Sequence, residues 1–309
     1  MPRHLVHRAA IAEVFVTDSR VIGEHAYQVA AQLPRGHAIG EDAYRYDFLL
    51  LVETVRQAGV LIAHSYLDVS VQTPFVFRAL KLQIRDLGRL VIGSSPGKAV
   101  IHTTVEPVHT PAGRLRGLAF KGGVEIDGWP ALDGEGHLLF VTASSYAALR
   151  RRGREQKLST QLPVSLSFTP ALPATVGREN ARNVVITEPT LSGERRLQST
   201  LIVDRGHPYL FDHPLDHVPG NLSVEACRQA AVAAVSRVYG LAAKSLTVIG
   251  AAIEFGEFAE IDLITRVTAT VGELGHHEPT GSACIPVTVE LTQAGAAVAS
   301  AQMQVAACG

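Results

Sequence analysis

Cysteine is scarce in this chain: three residues among 309, Cys227, Cys284 and Cys308, with no C-x-x-C pair. An odd number without ligand spacing supports neither a disulfide framework nor a structural zinc site, and a reducing cytoplasm is the simplest setting. Net charge is equally scarce. Lysine and arginine total 28 against 29 aspartates and glutamates, a balance of −1. Nucleic acid is therefore not expected as the main partner, and at 47% hydrophobic residues a disordered tail is excluded as well. Long apolar runs are missing too. The N-terminal stretch "MPRHLVHRAAIAEVFVTD" has no uninterrupted apolar segment, and Arg237 interrupts the alanine-rich helix near the C-terminal half. Neither a signal peptide nor a membrane span is expected. One basic cluster stands out, "LRRRGR" at Leu149 to Arg154, and it reads as a solvated turn or a docking patch.

What the chain does have is repetition. "VFVTD" at Val14 recurs as "VVITE" at Val184, and "RGH" at Arg35 recurs at Arg205, both 170 positions on. "ETVRQA" at Glu53 recurs as "EACRQA" at Glu225, 172 positions on. Three matches in order at a near-constant offset indicate two homologous halves. Each half runs from an alternating strand through a histidine-bearing loop to one long helix, then several strands. The first helix is expected within "YDFLLLVETVRQAGVLIAHSYLD", capped by Asp47. The second starts after Pro219-Gly220 and stops at Gly240. Both are apolar on nearly every side, the pattern of a helix wrapped by other structure. The strand-like segments after each helix, separated by turn signals, suggest antiparallel meanders. The expectation is an α+β tandem hotdog, each repeat a long buried helix wrapped by an antiparallel sheet, the two forming a pseudo-dimer. The repeats are placed at 5–160 and 181–309, with a proline-bearing linker at 161–180.

Polar chemistry concentrates at two places. On both helices a Glu and an Arg three residues apart share a face: Glu53 with Arg56, Glu225 with Arg228. A surface ion pair is the plain reading, but the apolar surroundings predict burial, where charges must be paired and are often functional. The second place is "FDHPLDHVPG", ahead of the second helix, with Asp212, His213, Asp216, His217 and Gly220. Backbone N–H groups at such a helix start can bind a carbonyl oxygen gaining charge. The alternative is an ordinary Pro-Gly turn with a local hydrogen-bonded cap. No helical H-x-x-x-H or comparable spacing favours a metal, and no cofactor is implied.

These residues carry a resemblance. "HRAAIAEVFVTD", "AQLPRGHAI", "LLLVETVRQAGVLIAH", "SYAALRRRGR" and above all "FDHPLDHVPG" followed by "EACRQA" resemble the A-factor biosynthesis (AfsA-type) family of actinomycete gamma-butyrolactone synthases. The similarity spans about His7 to Ala306. It implies a tandem hotdog enzyme related to fatty-acid dehydratases, an acyltransferase. Such an enzyme joins a beta-ketoacyl group on an acyl carrier protein to the hydroxyl of dihydroxyacetone phosphate, on the way to butyrolactone, butenolide or furan signalling molecules. By the same resemblance Glu53, Glu225 and Arg228 are catalytic candidates, and His213 is the nearest counterpart of the dehydratase histidine. Arg56, Gly220, Asn221 and His217 are assigned to substrate binding.

Glu53 is expected to act as general base with its pKa raised by burial, N–H groups near Gly220 as oxyanion donors, and Arg228 as a two-pronged grip on the acceptor phosphate. The basic run at Arg150, Arg151, Arg152 and Arg154 would receive the acidic carrier. A monomer containing the pseudo-dimer, or a homodimer, is expected. A hotdog thioesterase or dehydratase and a non-catalytic ligand-binding hotdog remain as alternatives.

Overall fold

The computed structural model describes residues 1–42, 44–164 and 167–307; Cys308 lies outside them. Two compact units are present, Met1–Ala147 and Ala148–Gly309. The division falls ahead of the connection expected at 161–180. Much of that stretch is integrated into the second unit, with a 3-10 turn at Pro173–Thr175 and the Ala171 N–H bonded to the Ile186 carbonyl.

The first unit contains β1 (Val16–Gly23), β2 (Ala26–Leu33), α1 (Phe48–Tyr66), β3 (Phe75–Ile84), β4 (Gly97–His109), β5 (Leu115–Ile126) and β6 (Trp129–Phe140). Its strands pair antiparallel in the order β1-β2-β4-β5-β6-β3. Helix α2 (Ala143–Leu158) follows. The second unit then has β7 (Thr190–Gly193), β8 (Arg196–Thr200), α3 (Gly220–Tyr239), β9 (Leu246–Phe255), β10 (Thr265–Val271), β11 (Gly275–His277), β12 (Ser282–Gln293) and β13 (Ala296–Ala307). Its order, β9-β13-β12-β10-β8-β7, retraces the first with one strand substituted for each counterpart. The short β11 is extra and pairs with β12. The repeat read in the sequence is thus a repeat of topology, and each unit is a hotdog.

Each core helix forms where its sequence directs. Asp47 caps α1, its carboxylate accepting the Leu49 N–H at 2.8 Å, and the left-handed Asp68 follows its end. Gly240 closes α3 in the left-handed region at φ 68°, a conformation that costs glycine nothing. By length and composition α1 meets the test for a membrane span, yet 83% of that window is buried inside the protein. Leu49, Leu50, Val60, Leu61 and Ile62 are 0–1% exposed, and full burial of such a side chain contributes about 1.5–3 kcal/mol. Glu53 lies on the same helix and is equally buried.

The basic run is not a turn. It lies on α2, and its Arg150 is buried, facing the carboxylates of Asp216 and Glu260, 66 and 110 residues along the chain.

Candidate functional site

The most elaborate polar feature is built twice. In the first unit Glu53, 0% exposed, receives the Arg8 Nε at 2.8 Å, the Arg56 Nε and Nη2 at 2.7 Å each, and the Gln57 amide at 2.7 Å. Arg8 also reaches it through Nη2 at 2.8 Å. In the second unit Glu225, also 0% exposed, receives Arg178 Nε at 2.8 Å, Arg228 Nε at 2.9 Å and Nη2 at 2.8 Å, and the Gln229 amide at 2.6 Å. The glutamines extend the cluster to the opening strand segments: Gln57 accepts from the Phe15 N–H and donates to the Glu13 carbonyl, and Gln229 does the same with Val185 and Asn183. A left-handed residue turns the chain just before each strap arginine, His7 at φ 53° before Arg8 and Gly177 at φ 64° before Arg178. Arg8 and Arg178 themselves stand 170 positions apart. They escaped the sequence reading although the same offset marks them.

This geometry corrects two expectations. Burial alone pushes the Glu53 carboxyl up, but the charges of Arg56 and Arg8 and their hydrogen bonds outweigh it and hold the group well below the usual carboxylate range. Held between two arginines, the carboxyl is favoured in its charged form, opposite to the raised pKa expected of a general base. Glu225 is treated the same way: burial raises it, Arg178 and Arg228 lower it further, to about 2. The second correction concerns Arg228. Its Nε–Nη2 fork is occupied by Glu225, with Nη2 also 3.4 Å from the Val176 carbonyl. A two-pronged grip on phosphate through that fork is therefore unavailable. Arg56 bonds Glu53 through the same atoms and adds the Val6 carbonyl, so the two arginines are structural twins rather than unlike partners. Between Glu225 and Arg228 on α3, Cys227 is fully buried, and burial followed by the nearby Glu225 charge pushes its thiol up to about 12, which leaves it inert.

The loop ahead of α3 is a different kind of site. Asp212 is buried while the neighbouring His213 is part-exposed, its Nδ1 3.4 Å from the Asp212 carboxylate. His217 Nδ1 lies 2.6 Å from Asp216 Oδ1, and Asp216 Oδ2 accepts the Arg150 Nε at 3.0 Å. Arg150 also donates to the Asp216 carbonyl at 2.7 Å and to both oxygens of the buried Glu260 at 2.7 and 2.9 Å. Arg154 continues the array to Glu260 and Asp262. The Glu260 backbone is pinned on both sides by Gln293, and the Val218 N–H bonds the Ala259 carbonyl. The loop thus arrives at α3 clamped to its surroundings. Arg150 and Glu260 belong to this cluster, where the sequence reading did not place them. At the helix start Pro219 is the N-cap without a side-chain cap, and the Leu222 and Ser223 N–H groups bond its carbonyl. Gly220 and Asn221 open the first turn.

The repeated R-G-H motif has a structural role. His207 Nε2 meets Asn183 Oδ1 at 2.9 Å, and its Nδ1 accepts the Leu210 and Tyr209 N–H groups at 3.1 and 3.3 Å. In the first unit His37 bridges Glu13 and the Ile39 N–H instead. The bonding of His207 commits it to the neutral form. Burial, aided by the Arg182 charge, lowers its pKa from 6.5. Burial does the same to His64, whose ring donates to the Val69 carbonyl and pairs with His7 at 2.8 Å. A histidine depressed in the folded state contributes stability that is full above its unfolded pKa near 6.5 and is lost as pH falls below it. Chemical unfolding across pH 7.5 to 5 should show falling stability. His207→Gln should start less stable and fall less steeply over that range; an unchanged slope would contradict the assignment.

Under α1 the first unit has a small apolar recess of about 10 Å³, lined by residues including Val55, Gly59, Ile101, Phe120 and Gly134. It has room for one water. The Phe120 ring fills the rest, within 3.2 Å of where a Gly59 Cβ would stand. Among the described residues no group of three His, Cys, Asp or Glu side chains is placed to hold a metal ion.

Comparison with known proteins adds four findings. A family model described as the A-factor biosynthesis hotdog domain matches residues 1–142 and 161–309. A protein of Streptomyces virginiae named 2-oxo-3-(phosphooxy)propyl 3-oxoalkanoate synthase is 34% identical over 234 residues, 75% of this chain and 76% of its own. A protein of the same name from Streptomyces coelicolor is 29% identical, covering 75% of this chain and 71% of its own. Among solved structures, a pyran synthase domain from module nine of the sorangicin pathway superposes with a TM-score of 0.54 at 12% identity, covering 96% of this chain and 98% of its own, a likeness of fold.

Proposed function

Because the chain belongs to the A-factor biosynthesis hotdog family, we propose that it transfers a 3-oxoacyl group from an acyl carrier protein thioester to the hydroxyl of dihydroxyacetone phosphate. The product is a phosphorylated keto ester on the way to a gamma-butyrolactone-type signalling molecule, made in the cytoplasm. The observation that carries this reading is the 34% identity, over three quarters of both chains, to a synthase whose name describes that ester.

Transfer from a thioester to an alcohol requires donors for a tetrahedral oxyanion and a group that takes the hydroxyl proton. The start of α3 supplies candidate donors. Gly220 and Asn221 occupy the first turn of a 20-residue helix, where backbone N–H groups and the helix dipole favour developing negative charge. The Gly220 N–H has no bonding partner among the described residues, and the residue is exposed. His213, a catalytic candidate in the sequence reading, is part-exposed with its Nδ1 3.4 Å from the Asp212 carboxylate. The Glu225–Arg228–Arg178 cluster, five residues into the helix, fixes the first turns of α3 rather than touching the acceptor.

The test is the product itself. Incubation of the protein with a 3-oxoacyl thioester and dihydroxyacetone phosphate should yield the ester mass by mass spectrometry, with unphosphorylated dihydroxyacetone a poorer acceptor. Free 3-oxo acid as the sole product would replace this reading with a thioesterase.

A further inference from the structure

We propose that His217, oriented by Asp216, is the general base that takes the proton from the acceptor hydroxyl. The inference rests on the acyl-transfer reading and supplies the group that reading lacks once Glu53 and Glu225 are seen locked between arginines.

The construction around His217 is that of an oriented imidazole. Asp216 bridges with its two oxygens, Oδ1 to His217 Nδ1 at 2.6 Å and Oδ2 to Arg150 Nε at 3.0 Å. Arg150 cannot drift, because its other two nitrogens hold Glu260 and the Asp216 carbonyl. The edge of the His217 ring packs on Phe258, centroids 4.8 Å apart at 73°, and the Arg150 guanidinium lies 5.0 Å from the same ring. A carboxylate at Nδ1 selects the tautomer with the proton on that nitrogen, so the lone pair is on Nε2. A surface ion pair needs none of this: Asp216 is 55% exposed, yet its anchor Arg150 is only 10% exposed in its side chain. His217 stands three residues before the Gly220 amide, the proposed oxyanion donor.

The charges facing the ring are mixed. Burial lowers the pKa of His217 from 6.5, Asp216 raises it, Arg150 lowers it and Glu260 raises it. Next to these groups on α2, Arg154 pairs with Glu260 and Asp262, and Lys157 with Glu257. The result is an imidazole that is neutral, and able to accept a proton, at neutral pH.

The step balances without any further reagent. The acceptor O–H bond breaks, its proton passes to His217 Nε2, and its oxygen attacks the thioester carbonyl carbon. The oxyanion collapses, the C–S bond breaks, and the leaving sulfur takes the proton from the imidazolium. Asp216 and Arg150 are positioning residues in this scheme, and of these three only His217 meets the reacting atoms.

Two variants test it, assayed by ester formation with the same thioester and triose phosphate. His217→Gln should lower kcat/KM about 100-fold or more, with the melting temperature and circular dichroism of the wild type. Asp216→Asn removes the carboxylate that raises the His217 pKa, so the acid limb of its kcat/KM profile should move to lower pH. The acceptor phosphate titrates near pH 6, but it is common to both enzymes, so the displacement belongs to the protein. An active His217→Gln, within about threefold of wild type, overturns this role alone. Should His217→Gln fail to fold, the Asp216→Asn profile decides, and an unmoved acid limb overturns the proposal. Absence of any ester from the wild type overturns the acyl-transfer reading and this role with it.

Discussion

Arg178→Met should lower the melting temperature by roughly 6–20 °C, the equivalent of about 3–5 kcal/mol in a unit of this size. Glu225 is wholly buried, and Arg178 supplies it one hydrogen bond from Nε and one ion-pair contact from Nη2, each at 2.8 Å. Without that arginine the carboxylate keeps Arg228 and Gln229 but loses half of its compensating charge. An uncompensated buried charge costs more than the pair contributes. Arg8→Met should behave alike in the first unit, because Arg8 meets Glu53 through the same atoms at 2.8 Å. Arg178→Lys should recover only part of the loss, since an ammonium cannot reproduce the fork. Differential scanning calorimetry of the three variants measures this, and a cost below about 1 kcal/mol for both methionine variants would show that the clusters are not structural. The same chemistry gives an acid limit. The Glu225 pKa is depressed in the folded state to about 2 from 4.5, so its contribution is complete above 4.5 and disappears as pH falls toward 2.

Arg150→Glu should leave little folded protein. The substitution sets a carboxylate against Glu260, 1% exposed in its side chain, and against Asp216, while removing the two bonds that hold the loop to α2 and the two to Glu260. The double variant Arg151→Glu with Arg152→Glu should stay folded, because both side chains are exposed and exposed charges contribute little to stability. That contrast divides the basic run that the sequence presented as one patch. If the exposed pair receives an acidic carrier protein, the double variant raises KM for the carrier-bound acyl group and leaves turnover of a small thioester analogue intact. Solubility and circular dichroism of the two variants side by side check the first half of the prediction, and equal folding would contradict it.

The fold was legible because its signals are local or periodic. Asp47, Gly240 and the Pro219-Gly220 step mark helix ends through backbone chemistry confined to a few residues, and the repeat exposes the duplication directly. The Glu-x-x-Arg pairs were legible for the same reason. What surrounds them was not, since Arg8 and Arg178 arrive from 45 and 47 residues away, and burial alone suggested the wrong sign for the Glu53 pKa. Helix α2 was misread because its charges looked solvated; the carboxylates that bury Arg150 lie 66 and 110 residues along the chain. The same distance hid the orientation of His217. Its neighbour Asp216 was visible in the sequence, but the arginine that turns that aspartate into an anchor was not.

The dependence of thiol release on the triose tests the central claim most directly. With a 3-oxoacyl thioester held constant, release of free thiol should be slow without acceptor and should rise to saturation with dihydroxyacetone phosphate, each thiol matched by one ester. Thiol release at the same rate with and without the triose, accompanied by free 3-oxo acid, would contradict an acyltransferase.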